Sequence, residues 1–73
     1  MSNNKNIAVI GRNLREARRQ RDLSQKDVAL LLGRNQAFVS RCESGFRRIT
    51  VEELINFANI YNKSIEEFID VAR

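Results

Sequence analysis

An all-α fold is predicted by three observations. The chain has 73 residues, enough for one small core and no second domain. Apolar residues make up 42% and charged residues 30%, with no proline and three glycines, a balance that favours a compact helical protein over disorder or a β-sandwich. Apolar positions recur at three- and four-residue spacing between polar caps and glycine stops. One domain of five helices is expected over residues 1–73, with residues 1–4 as a flexible arm.

Helix 1 is predicted from Lys5 to Gln20, with Ile7, Ile10, Leu14 and Ala17 along one face and Arg12, Arg15, Arg19 and Arg21 largely on others. Three later starts share one pattern, a hydroxyl residue followed three positions on by an acid: Ser24 with Asp27, Thr50 with Glu53, and Ser64 with Glu67. In such a capping box the hydroxyl accepts from an orphan amide and the carboxylate reaches back to the cap. Helix 2 then spans Gln25 to Leu32 and stops at Gly33, which adopts a left-handed conformation at low cost. Asn35 caps helix 3, Gln36 to Ser44, which Gly45 closes. Helix 4 runs from Val51 to Tyr61, with Leu54, Phe57, Ala58 and Tyr61 facing inward. Helix 5, Ile65 to Val71, aligns Ile65, Phe68, Ile69 and Ala72 on one stripe.

The run Ser24 to Gly45, SQKDVALLLGRNQAFVSRCESG, is therefore two short helices joined by a glycine turn, the layout of a helix-turn-helix reader of DNA. In that geometry helix 2 crosses the sugar-phosphate backbone and helix 3 enters the major groove with its N-terminal residues at the base edges. The Gln36 amide carries the donor and acceptor needed for adenine N6 and N7, and the Arg41 guanidinium matches guanine O6 and N7. Ala37 and Ser40 offer a methyl and a hydroxyl to the groove. Phe38 is counted with these base-reading candidates, with two placements open to it, against a thymine methyl or against helix 2. Gln25 and Asn35 at helix N-termini, with Arg34, Arg47 and Arg48, are placed to hold phosphates, contacts that position a protein without reading sequence.

Charge is unevenly placed. Residues 1–48 hold eleven Lys or Arg against four Asp or Glu, a formal +7, whereas residues 49–73 hold two against five, a formal −3. The basic part contains the helix pair, and counterion release favours its approach to a polyanion.

Other chemistries find little support. No apolar run approaches the ~18 residues a membrane span needs, and Met1 to Asn6 is polar, so a cytoplasmic protein without a membrane partner is expected. Cys42 is the only cysteine and histidine is absent, which excludes an intramolecular disulfide and leaves zinc no plausible ligand set; neither a metal nor another cofactor is expected. The acidic pairs Glu52/Glu53 and Glu66/Glu67 match helix capping better than acid-base catalysis, so an enzyme is not expected.

From Leu14 to Ile69 the chain resembles the lambdoid phage repressor and Cro family, the xenobiotic response element type of helix-turn-helix regulator. The stretch LSQKDVALLLGRNQAFVSRCESGFRRIT, Leu23 to Thr50, shows the Leu-Ser/Thr-Gln opening, apolar Val28, Ala29 and Leu32, the turn Gly33, apolar Val39, and the Glu-x-Gly closure at Glu43 and Gly45. The resemblance implies a bacterial or phage-encoded, nucleoid-associated repressor-like protein that binds a palindromic double-stranded operator as a homodimer. It makes Gln25 and Asn35 phosphate-binding, makes Gln36, Ala37, Ser40 and Arg41 base-facing, and implies an ion pair between Arg18 and Glu43. The small size is similar to that of controllers of restriction-modification systems, phage Cro-like switches and self-repressing antitoxins. Two positions depart from the pattern. Asp22 stands where many relatives have Gly or Asn, which requires another cap or a left-handed Asp; Cys42 replaces a branched aliphatic and is read as a small buried hydrophobe.

A dimer needs a surface. Helices 4 and 5 carry more apolar residues than a small core uses; Phe68 and Ile65 are assigned to the core, and Tyr61, Ile69 and Val71 to the dimer interface. The alternative reading is a protein-interaction or antitoxin-like module that binds another protein through helices 4 and 5.

Overall fold

The computed structural model describes the backbone of residues 2–69 and the side chains of residues 7–69. Four α-helices occur among them, α1 (Ser2–Gln20), α2 (Gln25–Leu32), α3 (Gln36–Ser44) and α4 (Val51–Tyr61), followed by a single 3₁₀ turn over Ile65–Glu67. The first helix starts before the predicted Lys5, so residues 2–4 are helical and not an arm; neither proline nor glycine interrupts that stretch. Instead of the fifth helix there is the 3₁₀ turn. The Phe68 amide donates three residues back to the Ile65 carbonyl at 2.9 Å, and Asn13 Nδ2 donates to the Phe68 carbonyl at 2.9 Å, occupying the acceptor a continuing helix would use. The remainder of the predicted helix, residues 70–73, lies outside the described residues.

Local chemistry accounts for the helix starts. Ser24 Oγ accepts from the Asp27 amide and Asp27 Oδ2 from the Ser24 amide, both at 3.0 Å, and Thr50 and Glu53 repeat the exchange at 3.0 Å each. At Ser64 the return bond runs from its amide to Glu67 Oε2 at 3.0 Å, and the Ser64 hydroxyl donates to the same oxygen at 3.4 Å. Asn35 Oδ1 accepts from the Phe38 amide at 2.9 Å.

The four helix ends are equally uniform. Each closes on a left-handed residue, Asp22 (φ 56°), Gly33 (φ 70°), Gly45 (φ 78°) or Asn62 (φ 57°). In each, the next amide reaches five residues back: Leu23 to Arg18, Arg34 to Ala29, Phe46 to Arg41 and Lys63 to Ala58, at 2.9–3.2 Å. Asp22 thus adopts the left-handed cap in place of a glycine, at a cost its short polar side chain keeps small.

The core consists of Leu14 and Ala17 from α1, Val28 and Ala29 from α2, Phe38, Val39 and Cys42 from α3, Leu54, Phe57, Ala58 and Tyr61 from α4, and Phe68. An aromatic column runs through it, Phe38 to Phe57 (6.1 Å between centroids, 4° between planes), Phe57 to Tyr61 (6.2 Å) and Tyr61 to Phe68 (6.3 Å). It ties α3, α4 and the 3₁₀ turn together through offset ring contacts. Gly11 allows α1 to lie directly on α3: a Cβ there would fall 2.5 Å from the Glu43 carbonyl oxygen and 2.6 Å from that of Cys42. No helix among the described residues is long and apolar enough to cross a membrane.

Candidate nucleic-acid interface

Helix α3 is split lengthwise by its own sequence. Phe38, Val39, Cys42 and Glu43 are buried, while Gln36, Ala37, Ser40, Arg41 and Ser44 are exposed. The one- and four-residue steps between the exposed positions place them on one face, so four of the five residues assigned to bases are open to solvent. Phe38 is the exception. Its ring is 8% exposed, stacked on Phe57 inside and covered outside by the Arg34 and Arg47 guanidiniums, 3.8 and 4.8 Å from its centroid. The thymine contact is therefore ruled out in favour of core packing, because the inward stripe of α3 passes through position 38.

The phosphate candidates divide. Arg34, Asn35, Phe38, Arg41 and Arg47 line a recess of ≈ 260 Å³ beside the α3 N-terminus, and Arg48 is exposed on the following loop. With Asn35 Oδ1 engaged as the cap, its NH₂ group is the donor left for a ligand. Gln25, in contrast, is half-buried and donates from Nε2 to Glu43 Oε1 at 3.0 Å, which leaves one N–H for any phosphate.

Glu53 was legible in the sequence only as a cap, yet it also anchors the recess. Its Oε1 takes Arg47 Nη1 at 3.1 Å and its Oε2 lies 3.7 Å from Arg34 Nη1. Desolvation alone would raise its carboxyl, but the Thr50 amide, Arg47 and Arg34 together outweigh that and hold it below the ordinary carboxylate range. No local pattern in the sequence ties residue 53 to residues 34 and 47; the tertiary approach of the α2–α3 turn and the loop before α4 to the start of α4 does.

Beneath the exposed face lies a buried carboxylate. Glu43, with its side chain fully enclosed, accepts from Arg18 Nε at 2.7 Å, Arg18 Nη2 at 3.1 Å and Gln25 Nε2 at 3.0 Å, with Arg15 Nε 3.7 Å away. Arg18 also donates to the Leu23 carbonyl at 2.9 Å. The bond to Glu43 raises the Arg18 pKa against the opposing effect of burial, so the guanidinium stays charged. One side chain thereby links α1, α3 and the start of α2.

Of the three residues assigned to a dimer interface, Tyr61 is 1% exposed in the core, where the aromatic column uses it, and that assignment is corrected. Ile69 is 42% exposed, and Val71 lies outside the described residues. Apolar side chains that the sequence reading did not single out, Val51 and Ile55 on α4 and Phe46 before it, are exposed instead. No group of three His, Cys, Asp or Glu able to hold a metal occurs among the described residues.

The arrangement agrees with known proteins. The restriction-modification controller protein C.AhdI from Aeromonas hydrophila superposes with a TM-score of 0.87 at 25% identity, over 94% of this chain and 100% of that one. The DNA-binding domain of BldD from S. venezulae gives 0.80 at 27% identity, over 89% and 97%. The iron(II) protein HppE gives 0.85 at 23% identity over 93% of this chain but 36% of its own, a likeness of fold alone. No curated protein sequence matches the chain. The family model described as Helix-turn-helix matches residues 14–68, and with the controller-like superposition this chain belongs to the Cro/C1-type helix-turn-helix family.

Proposed function

We propose that this protein is a sequence-specific, DNA-binding transcription regulator that acts as a homodimer on a palindromic operator. The observation that carries the reading is the exposed face of α3, where Gln36, Ala37, Ser40 and Arg41 stand beside the arginine-lined recess. Gln36 and Arg41 supply base-edge chemistry, and Asn35, Arg34, Arg47 and Arg48 supply phosphate contacts, with Gln25 as a secondary one. Similar structures support it, one a restriction-modification controller and another a DNA-binding domain.

Two such heads on one operator would sit about one helical turn apart, ~34 Å. Val51, Ile55 and Ile69 are the apolar side chains at the surface of α4 and beyond the 3₁₀ turn, and they are the proposed dimer contacts. The same exposed residues, with Phe46, support a second reading in which this face binds a different protein.

Selection of duplexes from a random pool tests both readings. A palindromic consensus, lost in a Gln36→Ala/Arg41→Ala variant, is expected; binding unchanged in that variant would favour the protein-interaction module. Sedimentation equilibrium up to high micromolar concentration checks the dimer, and a concentration-independent monomer counts against it.

A further inference from the structure

Phe46 is the most exposed large apolar side chain among the described residues, at 81%, yet its backbone is fixed. Gly45 closes α3 with a φ of 78°, and the Phe46 amide donates to the Arg41 carbonyl at 3.0 Å. Gly45 in turn lies against α1, where a Cβ on it would fall 3.3 Å from Ala8 Cα. The ring is therefore presented to solvent from a rigid base.

A single exposed apolar residue needs no explanation by itself; the neighbours of this one supply it. Arg41 and Arg47 line the same recess beside the α3 N-terminus, and Phe46 joins them, hydrogen-bonded to the first and peptide-bonded to the second. Arg48 follows, exposed. Neither nearby acid answers those charges at the surface in the same way, since Glu43 is enclosed and Glu53 is bound under Arg47. A partner for this stretch must offer an apolar surface between negative groups. A DNA strand does so along its whole length, with one charge about every 3.4 Å and the carbon-bound hydrogens of a deoxyribose between successive phosphates.

We propose that Phe46 packs its ring on a deoxyribose of the bound duplex, between phosphates held by the flanking arginines. The proposal rests on the DNA-binding reading above and adds to it a contact that is neither a phosphate clamp nor a base reader. Burial of the ring strengthens binding through apolar area, without releasing counterions and without preferring any base. A contact with a thymine methyl would differ in that last respect, because it favours one base at one position.

Affinity measured against salt separates the ring from the charges beside it. Wild type, Phe46→Ala, Phe46→Leu and Arg48→Ala are titrated with the duplex recovered by site selection and with a duplex of unrelated sequence, each over a range of salt concentrations. Circular dichroism is expected to show the parental Tm in Phe46→Ala, since the side chain it removes is exposed. That variant is expected to bind both duplexes about tenfold more weakly, with the same base preferences and the same slope of log affinity against log salt. Phe46→Leu, which keeps an apolar side chain, is expected to retain most of the affinity. Arg48→Ala is expected to lower the slope by about 0.9.

Parental affinity in Phe46→Ala, with the slope still reduced in Arg48→Ala, overturns the sugar contact and leaves DNA binding standing. A loss confined to one base at one position overturns it in favour of a thymine methyl. A loss accompanied by a shift from dimer to monomer in sedimentation equilibrium overturns it in favour of a second copy of the chain. If wild type binds neither duplex at low salt, the DNA-binding reading itself fails and the contact falls with it.

Discussion

Replacing Arg18 with methionine keeps most of the side-chain volume and removes the charge that neutralises Glu43. The perturbation deletes two bonds to the carboxylate, at 2.7 and 3.1 Å, and the bond to the Leu23 carbonyl at 2.9 Å. Breaking one partner out of a buried ion pair costs about 3–5 kcal/mol, because the other charge stays desolvated. Glu43 is fully enclosed, but Gln25 still donates to it at 3.0 Å and Arg15, 43% exposed, stands 3.7 Å away. Those residual partners place the expected loss at the lower end, about 3 kcal/mol. For a domain of this size that lowers Tm by about 12–24 °C.

Thermal and urea unfolding followed by circular dichroism measure the loss. A second variant separates the stranded charge from lost packing: Arg18→Met/Glu43→Leu removes the orphaned carboxylate and is expected to recover at least about half of the stability, as buried pairs replaced by apolar groups do. A parental Tm in Arg18→Met, or a double variant whose loss is the sum of the single losses, would refute the reasoning.

Gly11→Ala gains up to about 1 kcal/mol of helix propensity, yet its methyl would lie 2.5 Å from a backbone oxygen of α3, and a net loss of about 1–3 kcal/mol is expected from overpacking. Gly33→Ala, with no atom within 4 Å but a φ of 70°, serves as the purely conformational comparison at about 1 kcal/mol; equal Tm shifts in the two would contradict the close-approach account. Glu53 has a lowered pKa, so the stability of its charged contacts is fully present above the ordinary value of 4.5 and is lost as pH falls through the lowered one. Glu53→Gln is expected to cost about 1 kcal/mol at neutral pH and to flatten the acid limb of stability against pH; parallel profiles would rule this out. Cys42 is fully buried and burial pushes its thiol up, so native protein is expected to react with a thiol-specific disulfide reagent only at the rate of unfolding. Immediate labelling would place the thiol elsewhere.

Much of the framework was legible because its chemistry is local. Caps at Ser24, Asn35 and Thr50 and stops at Gly33 and Gly45 act within a turn or two of chain, and the periodicity of α3 sorts exposed Gln36 from buried Val39. The fifth helix was misread for the complementary reason: Ser64 and Glu67 announce a start, but the Asn13 bond to the Phe68 carbonyl comes from 55 residues away. Tyr61 was assigned to the interface although its spacing on helix 4 already turned it inward, and one aromatic column claims it together with Phe38.

By itself, then, the sequence determined four helices, their caps and the residue types offered on the α3 face. The Arg18–Glu43 pair came from family resemblance rather than from spacing. Only tertiary structure decided that Gly11 admits α3, that Glu53 holds the arginines over Phe38, and that Glu43 accepts from Gln25 as well as from Arg18. Helix caps depend on neighbours in the chain, whereas hydrogen-bond direction and close approach depend on which side chains meet in space, and sequence spacing does not encode that meeting.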